Sequence, residues 1–231
     1  MYLPFSFSPS SISQFRDCPR KFKLIKDKVI TWKETPAKER GTLVHKFMEE
    51  SINGKANATC PNGVDIAYTQ SLIQRFRTPL DKRILLLEHE MCVTDTWKPC
   101  GWFDDNVLIR ARADVLMLDP EKEYALIGDF KTGKIYPGMD LQVRVYALLC
   151  FVLYGMKHMD WELYYLDQGK TKSGQLDFVD GLAPVQDVLD YIHSALDYSA
   201  NNNYFPANKN IFCRFCDVYH KREYCPESLG W

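Results

Sequence analysis

The chain has 231 residues, 46% of them hydrophobic and 26% charged, with a formal net charge of −1. That is enough for one domain with a full core, and the balanced charge rules out a globally basic nucleic-acid binder. No apolar run approaches the ~20 residues of a membrane span, and Met1-Tyr2-Leu3-Pro4 lacks the basic and apolar regions of a secretory signal, so a cytoplasmic protein is expected.

In chain order, Phe7-Ser8-Pro9-Ser10-Ser11 reads as a loop entering a helix, with Ser10 or Ser11 as N-cap and the helix running to about Ile25. The polar stretch from Trp32 to Lys38, with Pro36, reads as a connection. A second helix is predicted from Lys38 to Ile52, with Leu43, Val44, Phe47 and Met48 as its apolar stripe. Asn53 to Gly63 is a loop, and Val64 to Arg77 is helical. Three strands follow, at Ile84 to Val93, Val107 to Leu118 and Tyr124 to Lys131, the last closed by Thr132-Gly133-Lys134. Asp140 to Tyr154 is a long helix. Trp161 to Leu166 and Gln175 to Val179 are strands joined by a turn over Asp167 to Gly174. Pro184 opens a last helix ending near Ala200, where Asn201-Asn202-Asn203 breaks it. This order predicts a single α/β domain over 1–231, a mixed β-sheet flanked by helices.

Two groups of residues carry chemistry. Asp129 and Lys131 are two apart on a strand, so they project from one face, and Asp114 lies in the strand before. Two carboxylates with a backbone carbonyl and waters form a hard oxygen site suited to Mg²⁺ or Mn²⁺. Such a site orients a water toward a phosphodiester, with Lys131 beside the developing charge. Asp129-Phe130-Lys131 is the only Asp/Glu-x-Lys in the chain. His45 lies beside the stripe of its helix, Gln142 and Tyr146 share a helical face at i, i+4, and Glu90 in the first strand points either to the site or to solvent.

The second group is Cys18 near the start and Cys213, Cys216 and Cys225 in a Cys-x2-Cys-x8-Cys near the end. With no signal peptide, eight cysteines point to metal ligation or burial rather than disulfides. Thiolates suit Zn²⁺ or an iron–sulfur cluster, and one remote cysteine with a triplet suits a clamp holding the chain ends, in segments at about 10–30 and 205–231. His220 is an alternative ligand in a zinc version. Cys92 and Cys150 read as core residues. Basic stretches flank the cysteines: Arg16, Arg20, Lys21, Lys23, Lys26 and Lys28, then Lys209, Arg214, Lys221 and Arg222. Meeting of the cysteines would merge the two into one phosphate-binding surface.

The order of these pieces resembles the RecB-type branch of the PD-(D/E)XK nucleases, and within it the iron–sulfur members such as the CRISPR adaptation nucleases and the AddB nuclease domain. The resembling pieces are Cys18-Pro19-Arg20-Lys21-Phe22, Gly41-Thr42-Leu43-Val44-His45, Ala113-Asp114-Val115, Asp129-Phe130-Lys131, Gln142-x3-Tyr146 and the cysteine triplet, spanning about residues 10 to 226. The resemblance implies a restriction-endonuclease-like core, with His45, Asp114, Asp129 and the Phe130 carbonyl on the metal. Lys131 would be catalytic, Gln142 and Tyr146 would support it or contact DNA, and the four cysteines would hold a [4Fe-4S] cluster. Two features depart from the pattern. Arg110, Ala111 and Arg112 stand where a glycine often precedes the strand aspartate, which could place arginines near the scissile phosphate, and the x8 spacing is longer than usual. The expected function is a Mg²⁺- or Mn²⁺-dependent DNA exonuclease on single strands or ends, in recombination, repair or CRISPR-type adaptation. The alternative is a non-cutting or nicking DNA-binding module. The chain lacks a Gly-x4-Gly-Lys-Ser/Thr phosphate loop, so any helicase, recombinase or integrase is a separate partner. Tyr136, Tyr146 and Trp102 are candidate base-stacking aromatics.

Overall fold

The computed structural model describes residues 5–31, 34–55, 58–78, 82–135, 141–211, 213–219, 221 and 223–225. Trp32, Tyr136, His220 and Arg222 of the expectations above lie outside the described residues, as does Asp140.

Six α-helices and five strands are described: α1 (Pro9–Asp17), α2 (Pro19–Lys26), α3 (Pro36–Ile52), α4 (Ile66–Arg77), β1 (Ile84–Thr94), β2 (Val107–Asp119), β3 (Tyr124–Lys131), α5 (Leu141–Tyr154), β4 (His158–Tyr165), β5 (Lys170–Asp177) and α6 (Gln186–Ala200). The strands form one sheet in the order β1-β2-β3-β4-β5. Every neighbouring pair is antiparallel except β3 and β4, which are parallel and joined through α5. The result is an α/β fold with a mixed sheet between helices.

Each face of the sheet has its own core. On one side α1, α2, α5 and α6 bury Phe15, Phe22, Val145, Leu148 and Ile192 against Ile109, Ala111, Ala113 and Ile127. On the other, α3 and α4 bury Val44, Met48, Leu72 and Phe76 against Val115, Met117, Leu126 and Phe130. The apolar stripe of α3 is therefore Val44, Met48 and Ile52, one turn apart, whereas Leu43 is exposed. At Gly128 a Cβ would stand 2.8 Å from the Tyr164 ring and 3.0 Å from Val115 Cβ, so only glycine lets the aromatic layer close over β3 there.

The predicted N-terminal helix is two helices. Ser8, not Ser10 or Ser11, caps α1 by accepting from the Ser11 amide, with Pro9 at the first position. Cys18 then sits extended (φ −162°, ψ 106°) as the cap between α1 and α2. Pro19 is the reason: it lacks an N–H and disfavours helical geometry in the residue before it. Thr35 caps α3 from Pro36, two residues earlier than expected. The β4–β5 turn is also tighter than expected, because β5 begins at Lys170. A short 3-10 turn, Ala183–Val185, carries Pro184 ahead of α6.

Candidate metal centre

Regular alternation would send Leu85, Leu87, Met91 and Val93 of β1 to one face. Instead Leu85 and Leu87 pack on the α3/α4 side, and Met91 and Val93 on the α5 side. On β2, Val115 and Met117 lie on the α3/α4 side, and Ile109, Ala111 and Ala113 on the other. The alternation reverses on both strands at one level, between Leu87↔Val115 and His89↔Ala113, where Glu88 and Asp114 form no ladder pair. Glu88 there takes φ +47°, a left-handed conformation that non-glycine residues adopt only where their surroundings enforce it.

The reversal brings both carboxylates to α3. His45 Nδ1 lies 3.1 Å from Asp114 Oδ1 and 4.0 Å from Glu88 Oε1. One ligand atom from each of His45, Glu88 and Asp114 falls within 4.8 Å of the other two, a spacing that suits one shared metal ion. The other oxygen of Asp114 accepts from the Phe130 amide at 2.6 Å, which ties β2 to β3 beside the Phe130 carbonyl. Arg40, one turn before His45, donates to both oxygens of Asp167, and Asp167 accepts from the Gly133 amide. This pins α3 to the end of β3.

The electrostatics favour a bound cation. Burial of the His45 ring opposes its protonation, but the hydrogen bond and charge of Asp114, with Asp129 and Glu88, raise its pKa to about 9. Burial, then the charge of Asp114, raises that of Glu88. Asp129 is buried and its pKa is also raised, by burial and then by Asp114, with Lys131 opposing. A bound divalent ion would relieve all three at once.

Asp129 lies beside this group. Its Oδ2 is 2.8 Å from Lys131 Nζ, which also donates to Gln142 Oε1 at 2.7 Å. Gln142 Nε2 donates to the Tyr146 hydroxyl, which donates to the Arg112 carbonyl at 2.7 Å. A relay of side chains thus holds the lysine through α5 to β2. Arg112 itself pairs with Glu90 at 2.5 Å, so of the two β1 acids it is Glu88, not Glu90, that reaches His45. Periodicity hid Glu88, because it sits where the period fails. An open groove of about 800 Å³, lined by Lys38, Thr42, His45, Lys46, Glu49 and Glu88, leads to the centre.

Cys18 and the triplet stand at opposite ends of the chain, yet all four cysteines line one cavity of about 300 Å³ with Arg20, Lys21 and Lys209. Amides of Asn208 and Asn210 point at the sulfurs of Cys18 and Cys213, at 3.5 and 3.3 Å. Arg20 donates to the Phe205 carbonyl and its amide to the Pro206 carbonyl, holding α2 to the C-terminal segment. A tetrahedral zinc site with ~2.3 Å bonds needs sulfurs about 3.8 Å apart. No three of these sulfurs lie within 4.8 Å of one another among the described residues. Cys92 and Cys150 are buried; Cys60 is exposed and Cys100 half-buried.

A histidine and two carboxylates spaced to share a metal ion thus lie beside an Asp-x-Lys at the end of a central strand. The family model described as the PD-(D/E)XK nuclease superfamily matches residues 6–226, and the chain belongs to that superfamily. No curated protein matches the chain. Among solved structures, the one titled "Crystal structure of SSO0001" is similar over 97% of this chain and 87% of that chain, at 16% identity and a TM-score of 0.46. No described helix is long and apolar enough to cross a membrane.

Proposed function

We propose that this chain is a Mg²⁺- or Mn²⁺-dependent deoxyribonuclease, an exonuclease on single-stranded DNA or DNA ends. The observation that carries the reading is the convergence of His45, Glu88 and Asp114 next to the Asp129–Lys131 pair. His45, Glu88, Asp114, Asp129 and the Phe130 carbonyl would hold the metal, which supplies Lewis-acid activation of a water and charge neutralisation at the phosphate. Lys131, kept extended by Gln142, positions the attacking water and stabilises the negative charge that develops on the phosphate oxygens. Tyr146 fixes Gln142 in turn. Glu88, rather than Glu90, is the β1 acid of this reading.

The same reading assigns the chain to the RecB-type iron–sulfur branch, with Cys18, Cys213, Cys216 and Cys225 around a [4Fe-4S] cluster. It is supported by the one cavity that the four cysteines share and by the amides aimed at two of the sulfurs. The cluster would clamp the chain ends rather than take part in hydrolysis. A helicase, recombinase or integrase would act as a separate partner in the cytoplasm, in recombination, repair or CRISPR-type adaptation.

The test is degradation of 5′- and 3′-labelled single-stranded and duplex DNA by anaerobically purified protein, with Mg²⁺, with Mn²⁺ and with EDTA. Metal-dependent loss from one end, absent in Lys131→Ala, is expected. A folded, coloured protein that binds DNA yet cuts none would replace this reading with a binding module.

A further inference from the structure

Away from the metal centre, the α3/α4 side of the sheet carries an uncovered charged strip. On β2, Arg110 and Arg112 alternate with Ile109, Ala111 and Ala113, which pack on the α5 side. Both arginines therefore lie on the same side as Asp114, and Arg112 is two residues from it, about 7 Å along the strand. At the end of the strip the chain makes a tight turn. The Gly101 amide donates to Asp104 Oδ2 at 2.8 Å, and the Asp104 amide donates to the Gly101 carbonyl at 3.3 Å. A Cβ at Gly101 would stand 2.9 Å from Asp104 Oδ1. Trp102 and Phe103 occupy the two central positions of this turn.

The two aromatics have no core to join. Phe103 is 89% exposed. The Trp102 ring is met by both guanidinium groups, with Arg110 Cζ at 5.2 Å and Arg112 Cζ at 5.3 Å from its centroid, and its carbonyl accepts from Arg110. Charge is left over here. Arg112 has Glu90, but Arg110 has no carboxylate within ion-pair distance among the described residues. Guanidinium groups with aromatic rings presented beside them, and one of them without a carboxylate partner among the described residues, suit a polyanion with stacking bases: phosphates neutralise the charge and bases cover the rings. A protein or lipid partner would use only half of these features.

We propose that Trp102 and Phe103, with Arg110 and Arg112, form a base-stacking platform for single-stranded nucleic acid that leads a strand to the metal centre. The destination of the strand rests on the nuclease reading above; the binding does not. The test is binding of labelled oligo(dT), oligo(U), an abasic oligomer of equal length and a duplex to full-length Lys131→Ala protein in EDTA, where nothing is cut. Oligo(dT) should bind about tenfold or more tighter than the abasic oligomer. Phe103→Ala, at an exposed position that the fold does not use, should remove about tenfold of that preference, and Trp102→Ala at least as much. Tighter binding of oligo(U) with the same variant effects upholds the platform and makes RNA its ligand. Equal affinity for base-bearing and abasic oligomers overturns the proposal, as does parent-like binding by folded Phe103→Ala. The nuclease reading fails separately, if the wild-type protein with Mn²⁺ leaves all substrates intact.

Discussion

Glu88 and Asp114 face each other across β1 and β2 at the one level where the ladder has no pair between matched neighbours in unchanged register. Glu88 is held there in the left-handed region, which costs a non-glycine residue roughly 1–2 kcal/mol. A strained acid opposite a second acid costs stability, a cost that protonated His45 beside Asp114 offsets in part in the metal-free protein and that a bound metal ion would offset in its place.

Glu88→Ala and Glu88→Gly should therefore match in metal affinity, and the glycine variant should lack the stability deficit that glycine usually brings to a strand. Both lose a ligand, and each should weaken Mn²⁺ binding about tenfold or more, read by calorimetry. In metal-free protein Glu88→Gly should be no less stable than Glu88→Ala, despite the usual ~0.5–1 kcal/mol cost of glycine in a strand, because only glycine relaxes at φ +47°. Urea melts with alanine clearly the more stable would refute the strain.

Metal affinity should climb with pH up to about 9. The His45 proton must leave for the ring to bind a metal, and in the metal-free protein its pKa is raised to about 9 through Asp114. The sign for metal-free stability is opposite. A folded pKa above the ordinary 6.5 means that the His45–Asp114 pair contributes fully below pH 6.5 and is lost as pH rises to about 9. Binding calorimetry in buffers of different ionisation heat should show at least one proton released at neutral pH, from His45 with a further share from Glu88 and Asp129; no proton release would remove His45 from the metal set.

Lys131→Ala and Asp129→Ala should abolish cutting and leave DNA binding largely intact. Tyr146→Phe leaves Gln142 and the Arg112 carbonyl without their buried partner, at a cost of about 1–3 kcal/mol in stability. It should also slow cutting through looser placement of Lys131, as a fall in kcat with little change in KM. Wild-type kcat in Tyr146→Phe would separate the relay from the chemistry.

Cys18→Ser and Cys213→Ser should bleach the broad absorbance near 400 nm expected of an iron–sulfur protein and lower the melting temperature of the whole domain, since the cluster would close nearly the entire chain. On the loop-closure scale for cross-links the clamp is worth roughly 4–5 kcal/mol. Cys60→Ser, at an exposed position outside the cavity, should change neither. A colourless wild-type protein containing zinc would replace the cluster.

The order of helices and strands was legible in the chain because apolar periodicity is local. β3 runs from Tyr124 to Lys131 as expected, and Asp129 and Lys131 project from it together. Local chemistry also placed Gln142 beside Tyr146, whereas only the packing of α2 against the C-terminal segment sets Cys18 in one cavity with Cys213, Cys216 and Cys225. Tertiary structure decided the rest. It split the first helix at Cys18, though Pro19 had marked the place. It chose Glu88 over Glu90, because the reversal of alternation at Glu88 and Asp114 arises from two strands constraining each other. It set Arg110, Arg112 and Trp102 in one strip, because a turn and a strand meet only once the sheet is paired. A sequence specifies which residues prefer helix or strand; contacts across the sheet and between chain ends select which polar side chains share a site.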